Sequence, residues 1–123
     1  MVDYLIVFQI NQGNLRMNCY EHTLIAKHDL QESQIKAIVS KYEEIIKKNS
    51  GKILKIEDWG LRNLSHLIKN NRKGFYCHFK FEGLGKTVSE LEKAENIDQM
   101  LIRFLTVRVK KHDLEKEYFE IKG

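Results

Sequence analysis

The chain has 123 residues, enough for one domain with a modest core, and its 42% hydrophobic and 31% charged residues mark a globular rather than a disordered protein. The formal net charge of +4 is mildly basic and favours an anionic partner without specifying one. The two cysteines, Cys19 and Cys77, stand far apart with no C-x-x-C, which suits packing residues in a reducing compartment better than a disulfide framework.

The start, Met1 to Ile10, holds a short apolar run. It lacks a basic leader region and a small-residue cleavage site, and it is too short to span a bilayer. Asn11-Gln12-Gly13-Asn14 reads as a loop that separates this run from the rest of the chain. From Tyr20 to Lys27 the chain alternates. Glu21, Thr23 and Lys27 fall on one parity and His22, Leu24 and Ala26 on the other, with Ile25 out of pattern, so a half-buried strand is expected.

Asp29 with Glu32 gives a capping-box pattern. Ile35, Ile38, Val39, Tyr42, Ile45 and Ile46 then recur at helical spacing, predicting a helix from about Leu30 to Asn49. Lys47 and Lys48 favour its C-terminal dipole, and Gly51 reads as a left-handed stop. A long strand comes next, from Lys52 to about Lys69, interrupted at Gly60 by a bulge or sharp twist. Asn70-Asn71 supplies a turn, and Gly74 to Glu82 returns as a strand. Thr87 with Glu90 opens a short helix that runs to about Glu95. Leu101 to Lys111 forms a last strand, and His112 to Gly123 reads as a charged tail.

The order β-α-β-β-α-β specifies an α+β, ferredoxin-like fold, a four-stranded antiparallel sheet with two helices on one face. The domain spans 17–111, with an extra segment over 1–16 and a tail over 112–123. One sheet face stays open. In the return strand Phe75, Cys77, Phe79 and Phe81 share the parity that faces the helices, and Tyr76, His78 and Lys80 point to the open side. The last strand is apolar on both parities, so the open face carries apolar side chains. A patch of that kind on a small domain marks a partner, a second copy or a covering segment of the chain itself.

Catalytic and cofactor motifs are weak. Gly85-Lys86-Thr87 resembles the end of a phosphate loop, but the pattern needs glycine at position 80, where Lys80 stands. Gly83 and Gly85 read better as turn residues and Thr87 as an N-cap. Glu57 and Asp58 are adjacent and point to opposite faces of a strand, so they form no acid/base pair. His22, His28, His66, His78 and His112 show no metal-ligand spacing. No cofactor, metal or small-molecule substrate is expected. The basic residues are more informative. From Leu61 to Tyr76 there is no acid, but there are Arg62, Lys69, Arg72 and Lys73. A second acid-free cluster holds Arg103, Arg108, Lys110 and Lys111. Strand pairing should bring parts of both toward one region, and basic segments flanking aromatics suit nucleic acid.

Ile56-Glu57-Asp58-Trp59-Gly60-Leu61-Arg62-Asn63-Leu64 resembles the signature of the bacterial ribosomal protein S-six family. The resemblance continues through Ile68 to Tyr76, Tyr20-Glu21, and Asn96-Ile97 to Phe104, covering about Met17 to Lys111. It implies this same fold and a non-enzymatic role in the cytoplasmic small ribosomal subunit. It also implies binding to the central domain of small-subunit ribosomal RNA, as a heterodimer with ribosomal protein S-eighteen. By resemblance, Arg62, Lys69, Arg72 and Lys73 match basic positions of the family's long hairpin, and Arg103 matches an arginine of its last strand. With Arg108 and Lys110 from the second cluster, these are the expected RNA contacts. Trp59, Tyr76 and His78 are the expected partner contacts. Leu67 stands where the family often has proline. Residues 1–16 have no counterpart in the family, so Met17 is read as the initiator and the segment as dispensable. The opposing reading makes Tyr4 to Ile10 an extra strand or apolar arm. A small ferredoxin-like enzyme or ligand-binding regulator is the rival function, since the fold hosts many activities.

Overall fold

The computed structural model describes residues 17–110; the expectations for 1–16 and for the tail lie outside them. The elements are β1 (Asn18–Lys27), α1 (Glu32–Lys48), β2 (Lys52–Ile68), β3 (Asn71–Gly83), α2 (Gly85–Asn96) and β4 (Leu101–Val109). They form one four-stranded sheet in the order β2-β3-β1-β4, with every neighbouring pair antiparallel. The expected β-α-β-β-α-β fold is therefore observed.

The sheet buries one parity under the helices. Tyr20, Leu24 and Ala26 from β1 meet Cys77, Phe79 and Phe81 from β3. Ile35, Ile38, Tyr42 and Ile46 of α1 and Leu91 of α2 close over them. A fully buried side chain of this size contributes about 1.5–3 kcal/mol. Among these apolar groups, His22 is also buried, held by Glu95 Oε2 at 2.5 Å and Thr106 Oγ1 at 2.6 Å. Burial raises the Glu95 carboxyl above its ordinary range, and His22 pulls only partly against it.

Local details differ from the sequence expectation. Helix α1 is capped at Gln31, whose backbone N–H donates to Gln34 Oε1 at 2.8 Å, two residues after the Asp29 start that the capping pattern suggests. Ser50, at φ 70°, takes the left-handed turn after α1 in place of Gly51. Gly51 is needed for closeness instead: a Cβ there would lie 2.5 Å from Ile46 Cγ2 and 2.7 Å from Ile46 O. Thr87 is not the N-cap of α2. Leu84 is, and its N–H donates to Thr87 Oγ1 at 3.0 Å, while that hydroxyl donates to Asn49 O at 2.6 Å. Thr87 thus ties the end of α1 to the start of α2.

Candidate nucleic-acid and partner interface

The β2–β3 hairpin reverses in two residues. Lys69 at φ 49° and Asn70 at φ 65° form the turn, one residue earlier than Asn70-Asn71, because both must adopt the left-handed conformation that matches strand twist. Asn71 begins β3, and its side-chain amide donates to Ile68 O at 3.1 Å and Lys69 O at 3.0 Å. Lys69, Arg72 and Lys73 are all exposed around this tip.

Arg62 lies nearer the middle of the hairpin, opposite Gly74, and its Nε donates to Trp59 O at 2.9 Å. Arg103 sits opposite Ile25 on β4. Arg108 pairs with Tyr20, five residues further along β1, or roughly 17 Å away at strand rise. Arg108 and Lys110 therefore lie at the far end of the sheet, beside Met17 and Asn18. Among the described residues of the second cluster, only Arg103 approaches the hairpin; antiparallel pairing of β4 with β1 carries Arg108 and Lys110 away.

The open face is not uniformly open. Tyr76, His78 and Lys80 have the expected parity, but His78 is 3% exposed and Lys80 2%. Parity alone puts both at the surface; Trp59 and Glu57 account for their enclosure. The β2 register slips between Asp58 and Gly60, and Gly60 adopts φ 75°, with its N–H donating to Asp58 Oδ1 at 2.9 Å. This bulge lays the Trp59 indole over the face, where it stacks on His78 at 4.7 Å and 13° and on Tyr76 at 6.3 Å and 23°. Trp59 Nε1 donates to Glu57 Oε1 at 2.7 Å. Glu57 Oε2 meets Lys80 Nζ at 3.1 Å and Lys55 Nζ at 3.6 Å. Beside them, His78 Nδ1 lies 2.8 Å from Thr23 Oγ1, and His78 Nε2 lies 3.3 Å from Glu21 Oε1.

Burial alone would raise the Glu57 carboxyl. The Trp59 N–H and Lys80 outweigh it, so Glu57 titrates below its ordinary range. Burial lowers His78, and the attraction of Glu21 and Glu57 does not restore it. Trp59 thus roofs a buried ionic cluster. In the sequence Glu57 stands out only as half of a rejected acid/base pair, and no local pattern pairs it with Lys80.

Further along, β2 makes an excursion. Asn63 pairs with Lys73 and Ile68 with Asn71, so four residues of β2 face only Arg72 of β3. The chain arches over the sheet, and Leu64 and Ile68 come over Ile25, which explains why Ile25 is buried against the strand's alternation. A hollow of about 290 Å³ lies between this arch and β4. Leu105, at its edge, is 58% exposed and Val107, beyond it, 47%, on the same parity as Thr23 and Glu21. This is the apolar part of the open face. Among the described residues, no group of three or more His, Cys, Asp or Glu side chains could hold a metal ion, and no helix is long and apolar enough to cross a membrane.

A model of the family described as Ribosomal protein S6 matches residues 19–108. The chain belongs to the ribosomal protein S6 family. A relative named small ribosomal subunit protein bS6, from Pelagibacter ubique, is 52% identical over 86% of this chain and 88% of its own length. The protein of that name from Brucella anthropi is 40% identical over 79% of this chain and 64% of its own length. The crystal structure of 30S ribosomal protein S6 from Thermotoga maritima is similar at a TM-score of 0.74 and 28% identity, covering 88% of this chain and all of that one. Membership of the S6 family makes this chain a structural constituent of the small ribosomal subunit, in the cytoplasm.

Proposed function

We propose that the chain binds the central domain of small-subunit ribosomal RNA as a heterodimer with ribosomal protein S-eighteen, and that it performs no catalysis. The observation that carries this reading is the separation of two chemistries on one side of the fold. The hairpin presents Lys69, Arg72 and Lys73 at an exposed tip, within a stretch free of acids from Leu61 to Tyr76. Arg62 and Arg103 continue the positive charge inward. Such a projection neutralises phosphates, which supplies salt-dependent affinity with little sequence information. The aliphatic patch at Leu105 and Val107, with the Trp59 and Tyr76 aromatics, instead suits a protein surface, where buried anchors supply most of the energy. Arg108 and Lys110 stand apart from the hairpin and take a secondary electrostatic part.

The heterodimer also gives the buried cluster a role. The Glu57–Lys80 pair holds Trp59 in a fixed pose before docking, so less ordering remains to be done on association. Co-sedimentation with small ribosomal subunits at low and high salt tests the reading. Retention with the subunits at both salts is expected. Absence from the subunits at low salt would overturn it.

A further inference from the structure

We propose that the hollow between the β2 arch and β4 is an anchor socket for the partner protein, receiving one large apolar side chain that is flanked by a carboxylate. This rests on the heterodimer reading above. The size is the first argument. An apolar cavity of about 150 Å³ takes up benzene, whereas sites for whole small ligands run from about 300 to 1,000 Å³. At about 290 Å³ the hollow has room for one or two side chains and little more.

The lining is the second argument. Ile25 and Tyr76 of the sheet, Leu64 and Ile68 of the arch and Leu105 of β4 give it an apolar lining, and Leu105 leads on to exposed Val107. An anchor seated there would be continuous with the aliphatic surface around it. In interfaces, binding energy concentrates where an anchor fills a pocket that docking closes off from water. Arg103, Ser65 and His66 provide polar groups at the same site, and no described residue of the lining is acidic. The complementary partner therefore places a carboxylate next to its anchor, within reach of the Arg103 guanidinium.

A nucleobase is the competing occupant and fits less well. Proteins hold unstacked bases chiefly on aromatic or guanidinium planes. Here Tyr76 is already stacked with Trp59 and Phe104 packs against the core, which leaves only His66 and Arg103 as planes for a base, beside the aliphatic side chains of Ile25, Leu64, Ile68 and Leu105.

Ser65→Trp tests the socket by filling it from an exposed position on the arch. Leu105→Glu tests it from a wall residue that is already 58% exposed, and decides the matter should Ser65→Trp lose cooperative unfolding. Leu67→Glu, 59% exposed and outside the hollow, is the control. Each full-length variant is titrated with purified ribosomal protein S-eighteen, without RNA, by calorimetry. Wild type and Leu67→Glu should bind within about threefold of each other, and Ser65→Trp and Leu105→Glu at least about tenfold more weakly. If wild type binds but the folded socket variants bind equally well, the socket is wrong while the heterodimer stands. If wild type does not bind S-eighteen, the heterodimer reading fails and the socket fails with it. The same variants are also titrated with a labelled RNA fragment of the central domain; if RNA binding falls while S-eighteen binding is unchanged, the occupant is a nucleobase and the proposal is overturned.

Discussion

Replacing Glu57 with alanine should unfold this protein far more readily than its place on the uncovered sheet face suggests. Glu57 Oε2 lies 3.1 Å from Lys80 Nζ, and the two side chains are 1% and 2% exposed. The variant removes the carboxylate that meets the buried Lys80 ammonium, and breaking a buried pair this way costs about 3–5 kcal/mol. Trp59 also loses its indole acceptor, which adds about 1 kcal/mol. Lys55, 3.6 Å away and a quarter exposed, reaches water and adds little. Glu57→Gln, which keeps an acceptor for the indole, should fall between wild type and alanine. The double variant Glu57→Gln/Lys80→Met removes both charges and should lie within about 1 kcal/mol of wild type, because buried ion pairs are often replaceable by apolar groups. Urea unfolding followed by the fluorescence of Trp59, the sole tryptophan, reads all of these. At a slope of about 1.5 kcal/mol/M, a loss of about 4–6 kcal/mol shifts the midpoint of the alanine variant down by about 3–4 M. A loss under about 1 kcal/mol for Glu57→Ala would show that Lys80 finds water and that the cluster is not a buried network.

Other expectations rest on the same geometry. Replacing Lys69, Arg72 and Lys73 together with alanine should weaken RNA binding and flatten its salt dependence by about 0.7–0.9 per lost phosphate contact; an unchanged slope would make the tip a solvated turn. His78 takes up its proton at a lower pH when folded than when unfolded, so its contribution is present above about pH 6.5 and is lost as pH falls toward the folded value. His78→Gln should flatten the stability-pH slope between about pH 7 and 5.5, by at most about 1.4 kcal/mol per pH unit, and an unaltered slope would clear His78 of that role. Burial pushes the Cys77 thiol up to about 12, so in the native protein a thiol reagent at pH 8 should modify Cys19 and reach Cys77 only after unfolding. Gly51→Ala should cost about 1–3 kcal/mol in urea unfolding, from the clash with Ile46; a neutral result would mean that this turn relaxes freely.

Much of the fold is legible in the sequence, since period and parity carry it. The Ile35–Ile46 stripe and the Phe75–Phe81 parity both face the core, as their spacing requires. The exposed cations of the hairpin are legible too, because acid-free charge on a turn needs no tertiary knowledge. What lies on the open face is not. The burial of His78 and Lys80 depends on Trp59 folding back across them, through a bulge whose offset appears only when β2 is set against β3. The Glu57–Lys80 pair joins different strands, and no local pattern relates positions so far apart. The arch over Ile25 arises from a mismatch in strand length between Asn63 and Ile68, again a property of pairing. Parity places a side chain on a face, but it does not say what other part of the chain covers that face.

The most direct measurement of the central claim is a titration of a labelled RNA fragment containing the small-subunit central domain. The fragment is titrated with this chain alone, with ribosomal protein S-eighteen alone, and with the two together at near-physiological salt. Cooperative binding is predicted: the mixture should bind at least about tenfold more tightly than either protein alone, a coupling of about 1.4 kcal/mol or more between the protein and RNA sites. Binding by this chain that is equally tight with and without S-eighteen, or no binding in any mixture, would contradict the account.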